Sequence, residues 1–241
     1  MSEIRTPLAV HRTILAVDVR GFGDHRRTTP HQVAVRDGMY RAVKRAFRAA
    51  GLSWDDCHRE DRGDGVFLLA PAETPKGPFV ETLPLAVVAE LRAHNANHPP
   101  EERIRLRMAL HAGEVTFDDH GVTAGSVNLT FRLLDAPAVK KALAESPGVL
   151  ALIASGWFYD EVVRNSAVLD AATFRPVRVA VKETTTIAWV SLPDHPYLEG
   201  TALEGTAEAE PPPGAAITMT ATASDSGRVY QAARDQHITE R

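Results

Sequence analysis

The sequence predicts an α+β domain in which helices pack on one face of a mostly antiparallel sheet, in the order βαββαβ with extra elements at the C-terminal end. Short apolar runs rich in β-branched residues alternate with two longer stretches of helical periodicity in that order. The second and third runs are joined by a tight turn at Asp61-Arg62-Gly63-Asp64, a turn-forming string that makes them a hairpin. Large apolar residues recur throughout residues 10–195 and become scarce after Pro196, so one packed domain occupies that span.

Taken in order, Thr13 to Asp18 reads as a buried strand. Residues 31–50 follow as an amphipathic helix, with Val35, Met39, Val43 and Phe47 at a spacing of four and Gly51 as its stop. Trp54 to Glu60 and Val66 to Ala70 form the hairpin. Residues 79–95 are a second helix with Leu83, Val87 and Leu91 on one face, closed by Pro99-Pro100. Ile104 to His111 alternates apolar and polar residues, as a half-buried strand does. A turn at Asp118 to Gly121 precedes a helical stretch over 125–144, interrupted near Pro137. Val149 to Ala154 is a further strand with a helix after it, and Val177–Val181 and Thr185–Val190 close the domain as a strand pair. The core of this order is the ferredoxin-like βαββαβ unit.

The chain has 241 residues, 44% hydrophobic and 24% charged, which suffices for one ordinary domain plus an appendage. A net charge of −4 lacks the basic excess of a nucleic-acid partner. Cys57 is the single cysteine, so no intrachain disulfide forms, and a reducing cytoplasm is the expected location. Met1 to Val10 has no long apolar run, so no signal peptide is expected. No stretch has the length of a membrane span. Residues 196–225 are rich in Gly, Ala, Thr, Glu and Pro and read as a disordered linker. Residues 226–241 regain some pattern as a short tail.

Two carboxylates carry the candidate chemistry. Asp18 ends the first strand, and Asp64 sits in the hairpin turn. In a βαββ arrangement the first strand lies beside that hairpin, so the two converge at one edge of the sheet. Carboxylate and carbonyl oxygens are hard ligands of the kind Mg²⁺ accepts. Taken singly, Asp64 also reads as a turn residue and Asp18 as a cap.

The pair belongs to a longer pattern. Asp18-Val19-Arg20-Gly21-Phe22-Gly23 resembles the Asp-Ile-x-Gly-Phe-Thr motif of class III (adenylate/guanylate) nucleotidyl cyclases. Gly63-Asp64 before an apolar strand resembles their second metal motif, and His111-Ala112-Gly113 their His-x-Gly. Gly125 to Leu133 resembles Gly-x-x-Val-Asn-x-x-x-Arg-Leu, with one residue fewer between the Gly and the Val. The four motifs keep the family's order over residues 12–192.

The resemblance implies a cyclase-type fold that turns a nucleoside triphosphate into a 3′,5′-cyclic nucleotide and pyrophosphate, with two divalent ions, Mg²⁺ or Mn²⁺. Asp18, Asp64 and the carbonyl of Val19 match the metal ligands. Asn128 and Arg132 match the pair that orients the ribose and stabilises the transition state. They lie four apart on one helix face, and an arginine suits developing phosphoryl charge. Lys182 resembles a lysine that reaches the triphosphate. The family builds its site across a homodimer, with the aspartates from one chain and Asn128 and Arg132 from the other.

Glu60 stands where ATP-using members carry lysine, as in guanylate cyclases, and implies GTP, because a carboxylate accepts from guanine N1 and N2 hydrogens. The partner position falls on Gly121, with Asp118, Asp119 or His120 as substitutes if the loop shifts. Arg20 and Gly23 also depart from the motif, and pyrimidine cyclases of anti-phage systems share the fold and depart at the base positions too. Arg26 and Arg27 read either as phosphate contacts or as a solvated pair. Residues 226–238 resemble the short amyloid-signalling motifs of bacterial immune effectors, which implies a protein partner through residues 226–241 by strand stacking. Two other readings stay open: a nucleotide-binding module with weak or no turnover, and an adaptor assembled through its tail.

Overall fold

A computed structural model describes residues 8–196, all within one compact unit. The expected tail and, apart from Pro196, the expected linker lie outside the described residues. Strands β1 (Val10–Val19), β2 (His58–Asp61), β3 (Gly65–Ala70), β4 (Leu106–Asp118), β5 (Gly121–Thr123), β6 (Leu150–Ser155), β7 (Arg175–Val181) and β8 (Thr184–Ser191) form one sheet. Its order is β2-β3-β1-β4-β6-β8-β7, with β5 paired to β4. Every pairing is antiparallel except β4 with β6. The first four strands in the order 2-3-1-4 are the expected βαββαβ unit, and β6 to β8 are the expected extension.

Helix α1 (Thr29–Ala49) begins with Pro30 in its first turn, where a missing N–H costs nothing, and His31 Nδ1 accepts from the Thr28 N–H at 3.3 Å. Val35, Met39, Val43 and Phe47 are all fully buried, and each such side chain contributes about 1.5–3 kcal/mol of transfer free energy. The stretch expected as one helix over 79–95 is two: α2 (Pro78–Glu81) and α3 (Leu83–Ala96), broken at Thr82. Pro84 is the cause. It has no N–H for the carbonyl four residues back, and its ring restricts Leu83.

Helices cover both faces of the sheet, not one. Leu15, Val17 and Val19 of β1 pack with α1 and α3. Ala16 and Ala109 pack on the other face with α4 (Gly125–Leu134) and α5 (Pro137–Glu145). All six residues of β3 and all six of β6 are buried, a pattern that requires cover on both sides. For the same reason β4 is almost continuously buried over Leu106–Ala112 where alternation was expected, and it runs on to Asp118 by pairing with the start of β1 and with β5. No helix among the described residues is long and apolar enough to cross a membrane.

Candidate active site

The turn between β2 and β3 is shaped by two glycines. Gly63 has φ +79°, a left-handed conformation that costs other residues energy. At Gly65 a Cβ would lie 2.2 Å from the Val17 carbonyl oxygen, so only glycine lets β3 approach β1 here. That approach sets the register Asp18↔Gly65, and the Val19 N–H donates to the Asp64 carbonyl at 2.9 Å. Asp18 and Asp64 are therefore neighbours at one end of the sheet, as their sequence positions predict. The Asp64 N–H donates within the turn to the Arg62 carbonyl at 3.0 Å, and the Asp64 side chain is exposed.

The turn is also tied to α1. The Asp61 carboxylate accepts from Arg36, from the Tyr40 hydroxyl at 2.6 Å and from the Gly63 N–H at 2.8 Å. These bonds, that of Arg36 above all, hold the Asp61 carboxyl down at about 2.

Asp18 has a partner that sequence reasoning missed. Arg107 stands opposite it on β4 and closes a two-pronged ion pair. Burial pushes the Asp18 carboxyl up to about 6, against the pull of Arg107 and with a further push from the negative Asp64. An ionised carboxylate has about four lone-pair sites, so a forked arginine leaves acceptors for a second cation. The donor set of Asp18, Asp64 and the Val19 carbonyl consists of hard oxygens and fits a divalent ion. Among the described residues no three His, Cys, Asp or Glu side chains gather as a metal-holding group, so this set rests on two carboxylates and a backbone oxygen.

A second group forms around α4. Asn128 is exposed on it, and Arg132 donates to Glu183 at 3.2 Å while its Nε is buried without a partner. Glu183 and Lys182 make the β7–β8 turn, where Lys182 takes φ +51°. Arg132 and Lys182 both act to hold the Glu183 carboxyl below its usual range, after its own backbone bond. The structure thus brings Arg132 and Lys182 to one carboxylate, Glu183, and brings Asp18, Val19 and Asp64 together. Within this chain the partner of Arg132 is Glu183.

Glu60 shares the sheet face of Asp18: it pairs with Phe67, Phe67 pairs with Ala16, and Asp18 lies two residues beyond. Its Oε2 accepts from Arg62 Nη2 at 2.6 Å, and its Oε1 lies 3.0 Å from His58 Nε2. Both oxygens assigned to guanine by the sequence are engaged within the chain. A Cβ at Gly121 would lie 3.8 Å from Glu60 Oε1, so the two expected base positions do face each other.

The loop from β1 to α1 lines a cavity of about 310 Å³ with Arg20, Arg26, Arg27, Arg103 and Arg105 on its walls beside the carboxylates Asp24 and Glu101. Arg26 is paired to Asp24 at 2.9 Å, while Arg27 donates to the Arg103 carbonyl at 2.8 Å and keeps a buried Nη1 without a partner.

No family model and no curated protein matches the sequence. Solved structures do. The guanylyl cyclase Cya2 is 18% identical over 76% of this chain and 92% of its own, with a TM-score of 0.55. An adenylate/guanylate cyclase/hydrolase from Silicibacter pomeroyi is 19% identical over 78% of this chain and 100% of its own, also at 0.55. A bacterial light-regulated adenylyl cyclase is 14% identical over 77% of this chain, which spans 53% of its length, at 0.54. The chain has the α+β fold that these adenylyl and guanylyl cyclases share.

Proposed function

We propose that the protein is a class III nucleotidyl cyclase that converts a nucleoside triphosphate into a 3′,5′-cyclic nucleotide and pyrophosphate. The observation that carries this reading is the juxtaposition of Asp18 and Asp64 by the Asp18↔Gly65 register and the Val19–Asp64 hydrogen bond, on a cyclase fold.

Asp18, Asp64 and the Val19 carbonyl would hold two divalent ions, Mg²⁺ or Mn²⁺. When bound, these supply charge neutralisation at the triphosphate and a lowered pKa for the attacking hydroxyl. Arg107 keeps Asp18 ionised and aimed despite its burial. The ribose 3′-oxygen attacks the α-phosphorus, its proton is lost, and the bond to the pyrophosphate oxygen breaks. Asn128 orients the ribose, and Arg132 meets the charge that gathers on the leaving pyrophosphate. Lys182 beside Arg132 and the arginine-walled cavity beside the β1–α1 loop supply positive charge for the polyphosphate. Within one chain Arg132 is engaged by Glu183, and the site is completed by a second copy in a homodimer. GTP is favoured over ATP, whether Glu60 accepts from guanine directly or acts through Arg62.

The test is incubation with each of the four ribonucleoside triphosphates and Mn²⁺, with the products read by mass spectrometry. A cyclic nucleotide from wild type and none from Asp64→Ala is the expected result. Linear products only, or equal activity in both proteins, would overturn the reading. The second reading, a nucleotide-binding module without turnover, is favoured by the bare Gly121 at the second base position. It forecasts binding with no cyclic product.

A further inference from the structure

Around Glu60 the structure shows an arrangement that the motif alone does not contain. Arg62 bonds Glu60 through Nη2 at 2.6 Å, and its guanidinium lies over the rings of Phe131 at 5.0 Å and Phe67 at 5.6 Å. These two rings are themselves 5.4 Å apart. His58 takes the other oxygen of Glu60 and stands edge-on to Phe117 at 5.3 Å. Arg62 is thus braced by an ion pair and two aromatic faces, yet 45% of its side chain stays exposed. It sits two residues before Asp64 and, through Phe131, beside Arg132 on α4. Across from Glu60, Gly121 contributes no side chain. A braced, exposed guanidinium with unspent N–H donors is a reader of acceptors.

We propose that Arg62 is the specificity-determining residue and that Glu60 is its holder. This inference rests on the cyclase reading and names the base class for the same site. A forked arginine requires two adjacent acceptors on one base edge. Guanine offers O6 and N7, and cytosine offers O2 and N3. Adenine sets its N6 amino donor beside each of N1 and N7, which repels the fork. Uracil places an N3 hydrogen between its carbonyls. The substrate is therefore GTP or CTP, against ATP and UTP.

The experiment uses the full chain with Mn²⁺ and the 3′-deoxy forms of all four triphosphates, which lack the attacking oxygen and cannot be cyclised. Calorimetry should show GTP or CTP analogues bound about tenfold or more tighter than those of ATP and UTP. The tighter of the two identifies the base. Arg62→Gln should bring that ratio to within about threefold, at an unchanged melting temperature. Arg62→Lys, which keeps the charge and loses the fork, should lose the ratio as well. A ratio that survives in Arg62→Gln, an ATP analogue bound as tightly as the others in wild type, or no binding at all overturns the assignment. Turnover of the ordinary triphosphates is measured separately. Discrimination in binding without any cyclic product keeps Arg62 as the reader and removes the cyclase reading.

Discussion

Asp18 on β1 and Arg107 on β4 face each other in register and close a two-pronged ion pair, Nε to Oδ1 at 2.7 Å and Nη2 to Oδ2 at 2.5 Å. Each side chain is only 14% exposed. Removing one partner of a buried pair leaves an uncompensated charge, so Asp18→Ala should cost about 3–5 kcal/mol of stability. Asp64 is exposed, and Asp64→Ala should stay within about 0.5 kcal/mol of wild type while losing metal-dependent turnover. Asp18→Ala/Arg107→Met should recover most of the stability and none of the turnover. Urea melts of the four proteins check this. If Asp18→Ala melts with Asp64→Ala, the ion pair does not carry the weight given to it.

The orientation of Arg132 toward Glu183 makes the dimer testable with the milder of the two aspartate variants. Asp64→Ala chains and Arg132→Ala chains should each be inactive alone. Mixed in equal amounts, they should regain roughly a quarter of wild-type turnover, since half of the dimers are mixed and each mixed dimer holds one intact site of two. Mixed dimers that form, shown by tagged pull-down, and yet stay inactive would argue against a site shared between chains.

Much of this was legible because its signals are local. The four-residue spacing of Val35, Met39, Val43 and Phe47 marks α1, and the glycines around Asp64 mark the hairpin turn. Strand ends and helix faces were less legible. The far half of β4 is a strand because β1 and β5 pair with it, and its own residues Gly113 and Glu114 carry no strand signal. The apolar side of α4, with Val127, Leu133 and Leu134, does not reveal which sheet face it covers. In the site, Asp18 and Asp64 stood out as motif residues. Arg107 and Arg62 did not, because a charged residue on a strand or in a turn reads as solvent-facing. Only the register Asp18↔Arg107 and the rings of Phe67 and Phe131 give them work to do.

His111 gives the fold a pH dependence of known sign. Its Nδ1 lies 2.8 Å from Ser155 Oγ, which also accepts from the Phe158 N–H at 3.2 Å. Burial, with some repulsion from His11, pushes the imidazole down to about 4. The unfolded chain therefore binds a proton that the folded chain does not between about pH 6.5 and 4. The contribution is present above pH 6.5 and is lost as pH falls, by roughly 3 kcal/mol at most. His111→Gln should flatten the stability curve in this window relative to wild type. Chemical melts at several pH values read the difference, and parallel curves would mean that His111 does not titrate as placed.

The Asp61 clamp should govern how still Asp64 is held. Asp61 accepts from Tyr40 at 2.6 Å and from the Gly63 N–H at 2.8 Å, with Arg36 as its third donor. Among the described residues, the turn that carries Asp64 has no other side-chain hydrogen bond to α1. Gly63 supplies the turn geometry and also brings conformational freedom, so the clamp must restrain it. Tyr40→Phe removes one bond to an ionised acceptor and should cost about 1.5–3 kcal/mol, less by the share that solvent screens at this half-exposed site. Asp61→Ala removes all three bonds, and misplacement of Asp64 should lower turnover by about tenfold to a hundredfold. The diagnostic readout is amide hydrogen exchange at Gly63 and Asp64, which should quicken in Asp61→Ala while exchange in β3 and the middle of α1 stays slow. If turnover falls and exchange at those two amides does not change, Asp61 acts on the reaction by another route than holding the turn.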